Sequence, residues 1–311
     1  MSRLLLIFAI VLVIAGCSKP KHTDTPTSGT IRITVDEALK PLIDAEIQAF
    51  EGIYANAHIE VTYTSEEEAV LLMLRDSARA TIITRKLFAE EEKILESQTY
   101  KARQLKVAIT GVALIVNRQN RDTLITMADL KKILTGEIQH WNWNESRKKA
   151  ASTGMEVVFD QPNSAIIRYL KDSVQRFDAL PKNWFALKSN SEVVNYVSEK
   201  PQALGFIDLS WLSDPHDSTA NKFLRTIKVM AISEDSGFFK PYQAYIAQKQ
   251  YPLRREVVMI VRESHTGLAS GFLSFLGGEK GQRVVLKAGL VPAVAQVRIV
   301  EISRDPIRIS K

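Results

Sequence analysis

The residues of this 311-residue chain that could do chemistry sit at four strand-to-helix turns, marked by Asp36, Ser65, Arg85 and Asn163. Each such turn leaves unpaired backbone N–H groups and a positive dipole end at the carboxyl edge of a sheet, where ligands bind in open α/β folds. Turns from two facing lobes can close on a small anion by hinge motion. The same polar residues serve equally as helix caps, and spacing leaves both roles open. Covalent chemistry has no comparable footing. His22, His58, His140, His216 and His265 are scattered and never stand at i, i+4 with a carboxylate, so no metal-ligand spacing is present. There is no Gly-x-Ser-x-Gly elbow. The loop Gly277-Gly278-Glu279-Lys280-Gly281 fails the phosphate-loop spacing and reads as a link between two helices. The sequence therefore predicts no catalytic residue, no metal site and no cofactor.

The elements that position these turns follow from periodicity. Ile31 to Val35 alternates apolar and polar residues; after Asp36-Glu37 the apolar residues Leu39, Leu42, Ile43, Ile47 and Phe50 take helical spacing. His58 to Tyr63 alternates again, Glu66 to Arg75 reads as a helix, and Ala80 to Thr84 is a short apolar run ending at Arg85. This βαβαβ order predicts a parallel sheet covered by helices. Beyond it the pattern predicts a long strand over Lys106 to Asn117, a helix around Met127 to Leu134 and a Trp-rich turn at Trp141 and Trp143. A strand over Met155 to Phe159 and a helix from Ala165 to Ser173 come next. Further strands are expected at Ala203 to Ile207, Ile227 to Ile232, Tyr242 to Ala247 and Glu256 to Val261, and helices at Leu268 to Leu276 and Gly281 to Ala288.

Length and composition set the frame for these elements. The length suggests about two domains. With 45% hydrophobic residues and a net charge of +6, the body is not disordered; 14 Gly and one Cys exclude collagen-like and disulfide-rich classes. The positive excess is not gathered into a dense basic cluster, so nucleic acid is not an expected partner. At the amino end, Leu4 to Ile14 is an unbroken apolar run following Arg3, about half the length that crosses a bilayer, and reads as a signal-peptide core. The only cysteine, Cys17, follows Ile14-Ala15-Gly16, which resembles a bacterial lipobox. That likeness implies cleavage after Gly16 and a diacylglycerol on the Cys17 sulfur. Ser18 to Gly29 is polar, with Pro20 and Pro26, and reads as a tether.

Seven stretches in order resemble the phosphate-binding solute receptors of ABC importers, especially lipoprotein forms from Bacteroidetes. They are Gly29-Thr30-Ile31 with Pro41-Leu42, Ile82-Ile83-Thr84-Arg85, Ala113-Leu114-Ile115-Val116-Asn117, Leu130 to Trp141, Ala203-Leu204-Gly205-Phe206-Ile207, Tyr251-Pro252-Leu253-Arg254-Arg255, and Gly281-Gln282 with Ala288-Gly289-Leu290-Val291-Pro292. The resemblance implies an α/β class II periplasmic-binding-protein fold, with two lobes, a ligand cleft and two crossing strands. The corresponding division is a signal peptide over 1–16, a tether over 17–28, lobe I over 29–110 and 240–311, and lobe II over 111–239.

It also implies a monomeric, non-enzymatic receptor facing the periplasm, anchored to a membrane at Cys17, that takes a small anion, phosphate or a similar oxyanion, to an ABC permease in the inner membrane. The alternative is a relative with another ligand or with a sensory or scaffold role. The implied ligand contacts are Arg85, Thr84 and Ser164, with Asn163, Arg168, Asp36, Glu37 and Ser65 beside them; Arg85 leads, because a planar guanidinium suits two oxyanion oxygens. The sequence departs from the family where hydroxyl donors are usual: Asp36, Glu37 and Ala38 replace one Ser/Thr turn, Glu66 replaces a Ser, and Ile166 a Thr. Ionised carboxylates accept and cannot donate. Asp36 and Glu37 are expected to cap a helix, to pair with Arg79 or Arg85 across an empty cleft, or to accept from a ligand's hydrogen-bearing group.

Overall fold

The alternation that begins at Ile31 becomes the spine of the amino half. A computed structural model describes residues 24–141, 154–235 and 237–294. The expected signal peptide, the lipidation site Cys17 and Trp143 lie outside the described residues. Along the chain run β1 (Gly29–Asp36), α1 (Lys40–Ile53), β2 (Ala57–Thr64), α2 (Glu66–Leu74), β3 (Ala80–Ile83), α3 (Ala89–Ser97), β4 (Arg103–Asn117), β5 (Leu124–Thr126) and α4 (Met127–Leu134). After the undescribed stretch come β6 (Glu156–Phe159), α5 (Ala165–Tyr169), β7 (Trp184–Ala186), α6 (Asn190–Glu199), β8 (Ala203–Asp208), α7 (Ser218–Thr226), β9 (Ile227–Val229) and β10 (Ala231–Ser233). The remainder is α8 (Gln243–Ala247), β11 (Arg254–Val261), α9 (Leu268–Gly277), α10 (Glu279–Lys287) and β12 (Val291–Pro292).

The sheet order is β2-β1-β3-β11-β4-β8-β6-β7. β1 pairs parallel with β2 and β3, as βαβαβ requires, and β6 pairs parallel with β7 and β8. Between these groups runs the 15-residue β4. Its first part pairs antiparallel with β11 and its last part with β8 and β9. One strand thus joins the two parallel groups, each with its carboxyl edge bearing turns. Both faces of β1 are covered. Ile31, Ile33 and Val35 join the core that α1 and α9 close through Phe50, whose ring meets Phe272 and Phe275 edge-on at 5.2 and 5.3 Å. On the other face the Thr34 hydroxyl donates to the Ala69 carbonyl of α2 at 2.8 Å, which satisfies a buried polar group.

The structure departs from the periodicity at three places. Tyr242 to Ala247 is helical, not a strand. Tyr242, Ala244 and Ile246 alternate, but Tyr245 turns back on Tyr242 and Phe239 while Ile246 is buried, a one-turn arrangement that follows Pro241. The run Ile227 to Ile232 is divided at Met230: β9 pairs with β4, whereas β10 leaves to form a separate two-stranded sheet with β5. The helix beginning at Ala165 is α-helical only to Tyr169 and widens to a π turn over Leu170–Val174. At the amino end, residues 24–28 are docked rather than free of the body, with the Asp24 carboxylate accepting from the Leu268 N–H at 2.7 Å at the start of α9. No helix among the described residues is long and apolar enough to cross a membrane.

Gly205 in β8 shows how closely α6 lies on the sheet. A Cβ there would stand 2.8–2.9 Å from side-chain atoms of Ile115, Val193 and Val197. Gly205→Ala is therefore expected to destabilise by about 1–3 kcal/mol through overpacking, read as a lower guanidinium midpoint at unchanged slope.

Candidate functional site

The site lies at the carboxyl ends of β1, β2, β3, β6 and β8, and each strand end contributes a polar side chain. The extended backbone at Ser65 places its hydroxyl to accept from the Glu68 N–H at 3.4 Å, so Ser65 caps α2. Glu66, the first residue of that helix, is then aimed inward and is almost wholly buried. One oxygen of its carboxylate accepts from the Thr84 N–H at 3.0 Å, the Thr84 hydroxyl at 2.7 Å and an Arg168 terminal N–H at 3.3 Å. The other accepts from Arg85 Nε at 3.0 Å and Arg168 Nε at 2.7 Å. Five donors from three residues thus converge on a single anionic group, and Arg168 reaches it from the far side of β4. Burial alone would raise the Glu66 carboxyl; the Arg168 charge, the Thr84 hydroxyl and Arg85 outweigh it and hold it below the ordinary carboxylate value.

Arg85 turns only its Nε edge to this anion. Its two terminal nitrogens grip Glu91 at 2.7 and 2.8 Å, and its guanidinium stacks 3.7 Å from the centre of the Phe88 ring. Neither Asp36 nor Glu37 pairs with Arg85, whose acidic partners are Glu66 and Glu91. Asp36 accepts from the Ala38 N–H at 3.2 Å, the expected cap, while its second oxygen is buried without a hydrogen-bond partner. Burial, with the Glu66 and Asp160 charges beside it, raises the Asp36 carboxyl well above its usual value. Glu37 spans the cleft instead, accepting from the Asn190 backbone and side-chain amides at 3.2 and 2.8 Å.

Ser164 caps α5, accepting from the Ile166 and Ile167 N–H groups while its hydroxyl donates to Asp160. Burial pushes the Asp160 carboxyl up to about 6 despite that hydrogen bond. Asn163 contacts none of these groups through a side-chain hydrogen bond; with Glu66, Arg85, Glu91, Ser164 and Arg168 it lines a hollow of about 440 Å³ just outside the converging donors.

Beneath the site lies a pair that periodicity does not single out. Arg255 of β11, with its side chain fully buried, bonds Asp208 at the end of β8 and reaches the Thr84 hydroxyl at 3.4 Å. Asp208 also accepts from the Thr110 hydroxyl at 2.8 Å and the Ser210 N–H at 2.9 Å. Asp36, Asp160 and Asp208 each stand at the carboxyl end of a strand directly after an apolar residue, and that recurrence was the available signal for the last two. Glu66 reads from sequence as a lost donor; in the fold it is the group on which the donors meet.

A mixed sheet divided by a long shared strand, with facing carboxyl-edge turns that converge on an anion, is the two-lobed arrangement of the periplasmic-binding-protein fold. The family model described as "PBP superfamily domain" matches residues 20–280. The phosphate-binding protein PstS of Bacillus subtilis is 24% identical over 313 residues, covering 97% of this chain and 95% of that protein. PstS of Borreliella burgdorferi is 21% identical, covering 81% and 86%. Among solved structures, a putative phosphate ABC transporter substrate-binding protein from Clostridium perfringens, with bound phosphate, superposes with a TM-score of 0.69 at 20% identity, over 85% of this chain and all (100%) of that one. An ABC-type phosphate transport receptor from Vibrio cholerae gives 0.62 at 18% identity, covering 85% and 100%. These structures share its fold, and the chain belongs to the PBP superfamily.

Proposed function

We propose that this protein is an extracytoplasmic receptor, held to a membrane by lipid on Cys17, that captures a small oxyanion between its lobes and passes it to an ABC permease. Phosphate is the first candidate, because the relatives above are phosphate-binding proteins by name. The observation that carries the reading is the convergence of Thr84, Arg85 and Arg168 on one buried anionic group at the carboxyl edge of the sheet. Such charge-assisted donors select by geometry in a water-poor cleft and require no covalent step. Lobe I is assigned 29–110 and 240–311, lobe II 111–239, and the receptor acts as a monomer.

Calorimetry of ligand-stripped, full-length protein in detergent with inorganic phosphate and sulfate tests the reading. Binding is expected, and Arg168→Ala should weaken it about ten- to a hundredfold, the worth of a charge-assisted hydrogen bond. Arg85→Ala should do the same. A flat titration by folded wild type that persists when Glu66 is replaced by alanine would replace phosphate capture with the second reading, a relative with another ligand or with a sensory or scaffold role, which the Glu66 carboxylate already seated among the donors favours.

A further inference from the structure

We infer that Glu66 is a tethered occupant of the anion site, which an incoming oxyanion must displace, and that it sets both the affinity and the ligand choice of the receptor. The inference rests on the oxyanion reading above and adds its regulation. An ordinary buried ion pair needs one counter-charge. Here two guanidiniums, a hydroxyl and a backbone N–H all serve the same carboxylate, leaving neither of its oxygens short of a donor.

Displacement rather than addition is what the surrounding charges require. Asp36 and Asp160 stand beside the site, and burial already holds their carboxyls toward the neutral form. A dianion placed next to an ionised Glu66 would meet a like charge in a poorly solvated cleft, where like charges repel most strongly. If Glu66 leaves, its donors pass to the ligand and the local charge changes little. The fold provides for that exchange. Glu66 is the first residue of α2, whose cap is made by Ser65, so rotation of the Glu66 side chain leaves the cap in place. The hollow of about 440 Å³ that opens against Glu66, Arg85 and Arg168 gives the displaced carboxylate or the arriving ligand room.

Two consequences follow. The fraction of molecules with Glu66 swung out multiplies the intrinsic association constant, so the receptor responds only at elevated oxyanion concentration. An anion must also outbid a carboxylate for the same donors, which favours doubly charged oxyanions over monocarboxylates. Glu66 further joins groups from both sides of β4 through Arg168.

The test compares inorganic phosphate binding to full-length wild type, Glu66→Ala and Glu66→Gln by calorimetry at pH 7, with melting curves to confirm folding. Glu66→Ala should bind phosphate at least about tenfold more tightly than wild type. Glu66→Gln, which keeps the volume without the charge, should fall between. Acetate should compete with phosphate in Glu66→Ala and not in wild type. Equal phosphate affinity in all three proteins, or weaker affinity in the variants, would overturn the tethered-occupant inference and leave the receptor reading standing. Absence of phosphate binding in all three folded proteins would overturn both. If Glu66→Ala does not fold, the Gln variant carries the comparison, with tighter binding supporting the inference and unchanged binding overturning it.

Discussion

Replacing Arg255 with alanine should lower the melting temperature by roughly 10 °C, the effect of removing one partner from a buried ion pair at about 3–5 kcal/mol and 2–4 °C per kcal/mol. The loss follows from what the guanidinium faces. Its side chain and that of Asp208 are both fully buried. Its charge also bears on the buried Asp36 carboxyl, and Glu66 and Asp160 feel it as well. Alanine would leave Asp208 buried without its partner and deprive Asp36 and Asp160 of a compensating charge, and the Thr84 hydroxyl would lose a neighbour. The double variant Arg255→Ala/Asp208→Asn separates this account from a simple packing defect. It leaves the same cavity but removes the orphaned charge, so it should recover more than half of the loss; a double variant no more stable than Arg255→Ala would refute the electrostatic explanation. Arg255→Lys should be intermediate, since an ammonium keeps the charge and forfeits the planar fork.

How far the sequence reveals this arrangement depends on which interactions are local. The βαβαβ start is legible because β1, α1, β2 and α2 each carry their own period, and parallel pairing of β1 with β2 and β3 needs no further information. Tyr242 to Ala247 misleads because six residues contain too few turns for a period of two to be told from one of 3.6. The site is legible as a set of turns and not as a network. Thr84, Arg85 and Arg168 do come together, yet what they come together on is Glu66, 102 residues from Arg168. A carboxylate in place of a hydroxyl is read from sequence as the loss of a donor. Only the fold brings two guanidiniums to it and makes it the anion. Glu37 is similar: its partner Asn190 stands 153 residues away, and nothing local in either segment announces the pair.

Replacing Glu46 with leucine should raise stability, and by an amount that grows with pH. In α1 the buried residues are Leu42, Ile43, Glu46 and Phe50, so Glu46 occupies a position on the apolar stripe. Both of its carboxylate oxygens are buried without a hydrogen-bond partner. Burial pushes the carboxyl up from 4.5 to about 9. The folded protein therefore holds a proton there that the unfolded chain gives up above pH 4.5. Because the folded value is the higher one, the stability is fully present below pH 4.5 and is lost as pH rises toward about 9, at about 1.4 kcal/mol per unit. By pH 7 the loss is on the order of 3 kcal/mol. Leucine removes both the proton linkage and the unpaired oxygens, and it has the better helix propensity for a core position. Thermal melts at pH 5, 7 and 9 should show the variant's advantage widening with pH, from a few degrees to more than about 10 °C. Glu46→Gln, neutral at every pH but still carrying an unpaired amide, should show the same widening with a constant deficit. An advantage for either variant that does not change with pH would mean that Glu46 is ionised in the fold, and that an unseen donor rather than a proton keeps its charge in the core.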